Sequence, residues 1–162
     1  MKLKAKKLNE GDFAKFGTFL DPHSIKTKCL GDKKELLFYP DSLTFCFSAG
    51  TLISLSTIVI QKRPMVENNM EYHDFTEEII GGFTDDVVFF AGLPSKEPDL
   101  SKFEAFILPR SNWVRVKRGI WHYGQFPINN NDVLGWCLLP PFTYQNDSIL
   151  FRSQDPIEIS IS

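Results

Sequence analysis

The chain has 162 residues, with 18 Lys and Arg against 20 Asp and Glu, so its formal net charge is -2. This near-neutral balance gives no basic surface of the kind that indicates nucleic-acid binding. Hydrophobic residues make up 43% and charged residues 23%, which is typical of a globular protein and excludes disorder of the whole chain. The longest apolar stretch, Thr51–Ile60, contains Ser and Thr and is too short to span a membrane. We therefore expect one domain, residues 1–162, that binds neither nucleic acid nor membrane.

The three cysteines, Cys29, Cys46 and Cys137, are far apart and form no C-x-x-C pair. Cys46 and Cys137 stand in apolar runs, so we expect them to behave as small core residues. This usage indicates reduced thiols and a cytoplasmic protein.

The first residues predict little regular structure apart from one short helix. Lys2–Lys7 is interpreted as a solvated start to the chain. Asn9–Leu20 is predicted to be helical, because Asn9 or Asp12 can cap a helix and Phe13, Phe16 and Leu20 recur three and four residues apart.

From residue 36 the pattern changes to short apolar segments separated by turn residues. The predicted strands are Leu36–Tyr39, Thr44–Ala49, Leu52–Ile60, Glu71–Phe75, Val87–Ala91, Phe103–Leu108, Trp113–Arg118, Val133–Leu139, Ile149–Arg152 and Ile157–Ser162. Between them, Gln61–Met70 is interpreted as a polar connection, and Asp99–Lys102 as a helical turn capped by Asp99. Many short strands at frequent spacing predict an all-β sandwich or barrel.

Two segments have the spacing of metal ligands. The metal-binding cupin pattern combines H-x-H-x(4)-E with a second motif that ends in G-x-x-H. Here the first motif reads E-x-H-x(4)-E, formed by Glu71, His73 and Glu78, and the second is matched by Gly119 and His122. Two imidazoles and one or two carboxylates that converge in a barrel can hold a divalent first-row metal and leave positions open for a substrate.

Each histidine also has an ordinary structural explanation. His73 could be a surface residue of a strand, and His122, beside Trp121, could be packed at the edge of the core. The two motifs together, in an all-β chain, predict a metal site formed by Glu71, His73, Glu78 and His122. Which glutamate binds the metal and which acts as a base stays open.

Several segments together carry a wider similarity. They are Thr51–Ser54, the E-x-H motif, the run Asp99–Ile107 and the motif from Arg118 to Trp121 and His122. This combination resembles the ureidoglycolate lyase family, also called ureidoglycolate hydrolase, of the cupin superfamily.

The resemblance implies a cupin-type double-stranded β-helix barrel, jelly-roll-like, behind a short N-terminal helix. It implies a homodimeric, metal-binding lyase of allantoin degradation, in purine metabolism, which splits ureidoglycolate into glyoxylate and urea. The metal would be a divalent first-row ion, either nickel, zinc or manganese. The apolar side of the terminal strand, Ile157, Ile159 and Ile161, is a candidate edge for dimer pairing.

The sequence departs from the family around the expected pocket. Asp74 stands where the family usually has Pro, and Glu78 where it usually has Gln; Tyr123 and Gly124 replace a second His and a Pro. Two alternatives therefore stay open beside a lyase for ureidoglycolate or a related small 2-hydroxy acid: another cupin enzyme, acting on a sugar acid, and a non-catalytic barrel that binds a metabolite.

The mechanism implied for such a lyase assigns roles to individual residues. Glu71, Glu78 and His122 are the candidate catalytic residues, because a proton must leave the substrate hydroxyl and another must reach the urea nitrogen. A carboxylate substrate also needs a polar, cationic pocket. The candidate substrate-binding residues are Arg118, Lys117, Arg63 and Tyr123.

Overall fold

The computed structural model describes residues 1–29, 39–45, 52–129 and 132–161. Within these ranges the strands are β1 (Lys2–Lys7), β2 (Gly17–Leu20), β3 (Ser54–Ile60), β4 (Val66–Tyr72), β5 (Glu78–Gly81), β6 (Val87–Gly92), β7 (Phe103–Leu108), β8 (Trp113–Val116), β9 (Trp121–His122), β10 (Phe126–Pro127), β11 (Val133–Leu139) and β12 (Ile149–Ile161). The helical pieces are α1 (Glu10–Phe13), a 3-10 turn (Leu100–Lys102) and α2 (Thr143–Asn146). No helix in the described ranges has the length and apolar character needed to cross a membrane.

The strands form two sheets. The larger has the order β10-β6-β7-β1-β12-β4-β9, and β9 also pairs with β6, which closes the sheet into a barrel. The smaller sheet has the order β2-β8-β5-β11-β3. The prediction of an all-β, cupin-like barrel is confirmed.

The barrel has apolar side chains on both of its faces, because residues alternate along each strand. Val88 and Phe90 of β6 belong to one buried cluster, together with Trp121. Phe89 of β6 belongs to the second cluster, together with Val114 of the smaller sheet. Trp121 points into the first of these clusters, and the next residue of a strand points to the opposite face of the sheet. His122 therefore projects toward the smaller sheet.

The predicted N-terminal helix is too long. Asn9 does cap α1, since its side chain accepts a hydrogen bond from the backbone N–H of Asp12, but the helix ends at Phe13. Residues 17–20 instead form β2, which pairs with β8. A Cβ atom at Gly17 would lie 1.8 Å from the carbonyl oxygen of Arg115, so only glycine permits this close approach.

Two segments interpreted as irregular are strands. Lys2–Lys7 forms β1, which pairs in parallel with both β12 and β7 and buries Leu3 and Ala5. Part of the predicted connection Gln61–Met70 belongs to β4, which pairs with β12. In both segments, pairing with a strand from a remote part of the sequence outweighs the polar composition.

The C-terminal strand is also longer than predicted and has another position. Ile149–Arg152 and Ile157–Ser162 were expected as separate strands, but β12 runs through both, with an irregularity in register between Arg152 and Ile157. It lies between β1 and β4, so it is not an edge strand, and Ile157 and Ile159 are buried. The proposed dimer edge on this strand is therefore wrong. The predicted strands Leu36–Tyr39 and Thr44–Ala49 lie mostly outside the described residues.

Candidate metal centre

Three of the four predicted ligands converge between the two sheets. One ligand atom each from His73, Glu78 and His122 lies within 4.8 Å of the others, and all three residues are buried. Oε2 of Glu78 is 3.0 Å from Nε2 of His73 and 2.8 Å from Nε2 of His122. This buried cluster could hold a metal ion.

The local fold brings the two motifs together. His73 directly follows β4, Glu78 begins β5, and His122 ends β9. Gly119 has φ +74°, the left-handed conformation that favours glycine, and its N–H donates to the carbonyl oxygen of His73 (2.8 Å). The bend expected at Gly119 is thus present, and it joins the second motif to the first.

The outer nitrogen of each imidazole is held by a backbone carbonyl. Nδ1 of His73 is 2.8 Å from the carbonyl oxygen of Asp147, and Nδ1 of His122 is 2.7 Å from that of Ile120. A carbonyl can only accept, so both Nδ1 atoms carry the proton and both Nε2 atoms point at Glu78. Metal-binding histidines are oriented in the same way by partners outside the ligand set. The donor set of two imidazole nitrogens and one carboxylate therefore fits a divalent first-row metal.

The three side chains strongly perturb each other's protonation. Burial lowers the pKa of His122, but the nearby Glu78 carboxylate outweighs it and raises this pKa to about 9. For His73, too, the attraction of Glu78 exceeds the effect of burial, and the pKa is raised. Despite its burial, the two imidazoles hold the pKa of Glu78 well below its usual range. The site thus favours positive charge around one buried carboxylate, which suits a divalent ion.

Cys137 and Tyr144 also belong to this centre, although no sequence motif marks them as site residues. The Cys137 thiol, buried as expected, donates to Oε1 of Glu78 (3.2 Å). The Tyr144 hydroxyl lies 3.6 Å from the Cys137 sulfur. Burial and the Glu78 carboxylate raise the pKa of both groups far above their usual values, so both keep their protons. The only sequence signal was that Cys137 falls on the buried face of an alternating strand.

Glu71 lies beside the centre but outside the cluster of three. It pairs directly with His122 across β4 and β9, so both side chains leave the same face of the sheet. Its carboxylate accepts a hydrogen bond from the Ser148 hydroxyl. The structure therefore separates the two candidate glutamates: Glu78 lies between the imidazoles, and Glu71 lies to one side.

A cavity of about 400 Å³ opens next to Glu71. Its lining residues are Glu71, Tyr123, Gly124, Tyr144, Ser148 and Leu150. Tyr144 connects this cavity to the centre, because its hydroxyl reaches Cys137. The cavity therefore lies beside the cluster, on the Glu71 side, and His73, Glu78 and His122 do not line it.

Of the four predicted substrate-binding residues, one lines the cavity and three do not. Tyr123 lines the cavity. Arg63 lies against Gly124 at its rim, where Nη1 is 3.1 Å from Oε2 of Glu67. Lys117 donates to the carbonyl oxygen of Ala14, and both Lys117 and Arg118 are exposed and do not line this cavity.

No protein-family model matches the chain, and no curated protein sequence matches it either. Fold and site define its class: an all-β, cupin-like barrel with a candidate His/Glu metal centre.

Proposed function

We propose that this protein is a metal-dependent lyase that cleaves ureidoglycolate, or a related small 2-hydroxy acid, into glyoxylate and urea. The observation that carries the proposal is the convergence of His73, Glu78 and His122 beside a cavity of small-molecule size. The E-x-H motif of Glu71 and His73 and the pair Trp121 and His122 resemble the ureidoglycolate lyase family, and this resemblance supports the choice of substrate.

His73, Glu78 and His122 would hold the ion. A divalent first-row ion such as nickel, zinc or manganese supplies positive charge that favours ionisation of a nearby alcohol. The backbone carbonyls of Asp147 and Ile120 orient the imidazole rings so that Nε2 of each faces Glu78, the third residue that would hold the ion.

The reaction needs no second substrate. The hydroxyl of ureidoglycolate loses its proton and becomes the aldehyde oxygen of glyoxylate. The carbon–nitrogen bond breaks, its electron pair stays on nitrogen, and that nitrogen takes up a proton to give urea. Because Glu71 stands in the cavity outside the ion's ligand set, its carboxylate can take the first proton and return it to the nitrogen.

The test is glyoxylate release from ureidoglycolate by the metal-loaded protein, with bound metal measured in parallel. His122→Asn and His73→Asn should each lower metal content and activity by at least tenfold, the scale on which loss of a ligand acts. His23→Asn is the matched control, since His23 is exposed and lies far along the chain from both motifs. Stoichiometric metal in both variants, or no glyoxylate from the loaded wild-type protein, would refute the proposal.

A non-catalytic barrel that binds a metabolite is the second candidate. One observation favours it: Lys117 and Arg118 do not line the cavity, and the Arg63 guanidinium already faces Glu67. In that case the loaded protein would bind a small metabolite in the cavity and would release no glyoxylate from ureidoglycolate.

A further inference from the structure

Among the described residues, the Tyr144 hydroxyl has one hydrogen-bond contact, to the sulfur of Cys137. The two atoms are 3.6 Å apart, and sulfur is a weak acceptor. The Cys137 thiol in turn directs its own hydrogen to Oε1 of Glu78. The described residues thus offer the Tyr144 O–H only a weak acceptor, and because Tyr144 lines the cavity, an acceptor that enters it can compete for this hydrogen.

The position of Tyr144 is fixed by its short helix. Thr143 donates its side-chain hydroxyl to the carbonyl oxygen of Pro140, and the Asp147 carboxylate accepts the backbone N–H groups of Asp74 and Phe75. The carbonyl of Asp147 also receives Nδ1–H of His73. The segment that carries Tyr144 is thus tied to the metal centre through Asp147.

The cavity presents a hydrogen-bond donor and an acceptor close to each other. Tyr144 supplies the donor, and the Glu71 carboxylate, which receives one hydrogen bond from Ser148, supplies the acceptor. A ureido group beside a hydroxyl-bearing carbon matches this pair, because its carbonyl oxygen accepts and the hydroxyl donates.

We propose that the Tyr144 hydroxyl donates a hydrogen bond to the carbonyl oxygen of a ureido group bound in this cavity. This inference rests on the proposed function and specifies how the substrate is recognised. As the carbon–nitrogen bond breaks, negative charge spreads from the leaving nitrogen to the ureido oxygen, and a fixed O–H donor stabilises it there. Burial and Glu78 raise the pKa of Tyr144, which keeps the donor hydrogen in place.

The test compares Tyr144→Phe with wild type in zinc-loaded protein, using two probes and calorimetry. N-carbamoylglycine carries a ureido group and a carboxylate, whereas glycolate carries a hydroxyl and a carboxylate but no ureido group. We expect Tyr144→Phe to weaken N-carbamoylglycine binding about threefold to tenfold and to change glycolate binding less than twofold. Zinc content and melting temperature should be unchanged.

Tyr72→Phe is the matched control, because the Tyr72 ring packs against Trp121 and does not line the cavity. Three results would overturn the proposal: no binding of N-carbamoylglycine to wild type, equal loss of both probes, or loss of zinc from Tyr144→Phe. The last two would show that the hydroxyl acts on the structure of the site and not on a ureido group.

Kinetics separate this inference from the function on which it rests. With ureidoglycolate we expect Tyr144→Phe to lower kcat by about 100-fold and to change KM little, because the charge develops only in the transition state. Glyoxylate release with equal kcat in both proteins would leave the lyase standing and refute the role of Tyr144. Tyr144-dependent binding of N-carbamoylglycine without glyoxylate release would refute the lyase and leave the recognition of a ureido group standing.

Discussion

The backbone N–H of Gly119 donates to the carbonyl oxygen of His73 at 2.8 Å. This one hydrogen bond joins two motifs that are remote along the sequence. Gly119 can make it because its φ of +74° is readily available to glycine and costly for residues with a side chain. The position of His73 in the cluster therefore depends on a residue that is not itself a ligand.

Gly119→Ala should weaken metal binding although it removes no ligand. A Cβ at this position would meet only Pro94 at 3.6 Å, so the cost comes from the backbone and should be about 1 kcal/mol. If the turn relaxes, His73 moves, and zinc affinity falls. The measurement is a zinc titration together with urea unfolding of the metal-free protein.

Gly11→Ala is the control for this substitution. Gly11 lies in α1, where a Cβ would meet the Asn9 side chain at an ordinary 3.5 Å. It should leave zinc affinity unchanged. Equal zinc affinities for the two variants would contradict the link between Gly119 and His73.

Metal binding should release protons at neutral pH. In the ion-free protein both Nε2 atoms face one carboxylate oxygen, and Glu78 raises the pKa of His122 to about 9. A ligand imidazole must be deprotonated at the nitrogen that binds the ion, so protons, that of His122 first of all, should leave when an ion binds near pH 7. Calorimetry in buffers of different ionisation enthalpy counts them. Binding without proton release would show that the imidazoles are already neutral or that the ion binds elsewhere.

The metal-free protein should lose stability as the pH rises above neutrality. The folded pKa of His122 lies above its ordinary value of 6.5, so the folded state binds this proton more tightly than the unfolded state. The resulting stabilisation is complete below about pH 6.5 and disappears as the pH passes through about 9. Urea unfolding in the presence of a chelator measures this slope, and Glu78→Gln, which removes the attracting charge, should abolish it. A wild-type slope that persists unchanged in Glu78→Gln would assign the effect to other groups.

The sequence predicted the parts of the centre that depend on spacing along one strand or turn. Glu71 and His73 are two residues apart and so share a face, and the x(4) spacing returns Glu78 to the same site. The glycine three residues before His122 indicated the bend. These relationships are local, so a pattern in the sequence can express them.

The parts that the sequence missed depend on pairing between remote strands. Cys137 reaches Glu78 because β11 pairs with β5 in a register that sets Cys137 opposite Ile80. Tyr144 lies on a four-residue helix, which is too short to give a periodic pattern in the sequence. For the same reason β1 was mistaken for a solvated segment: its place in the barrel comes from β7 and β12, and not from its own composition.

Cys137 provides a test of whether the centre is built as a connected polar network. Its thiol donates to Oε1 of Glu78, the oxygen that does not face the imidazoles. Cys137→Val keeps a small apolar side chain but removes this donor from a buried carboxylate, which should destabilise the metal-free protein by about 1–3 kcal/mol. Cys137→Ser keeps a donor and should cost less. Urea unfolding of the two variants is the measurement, and a valine variant as stable as the serine variant would show that the thiol acts only through packing.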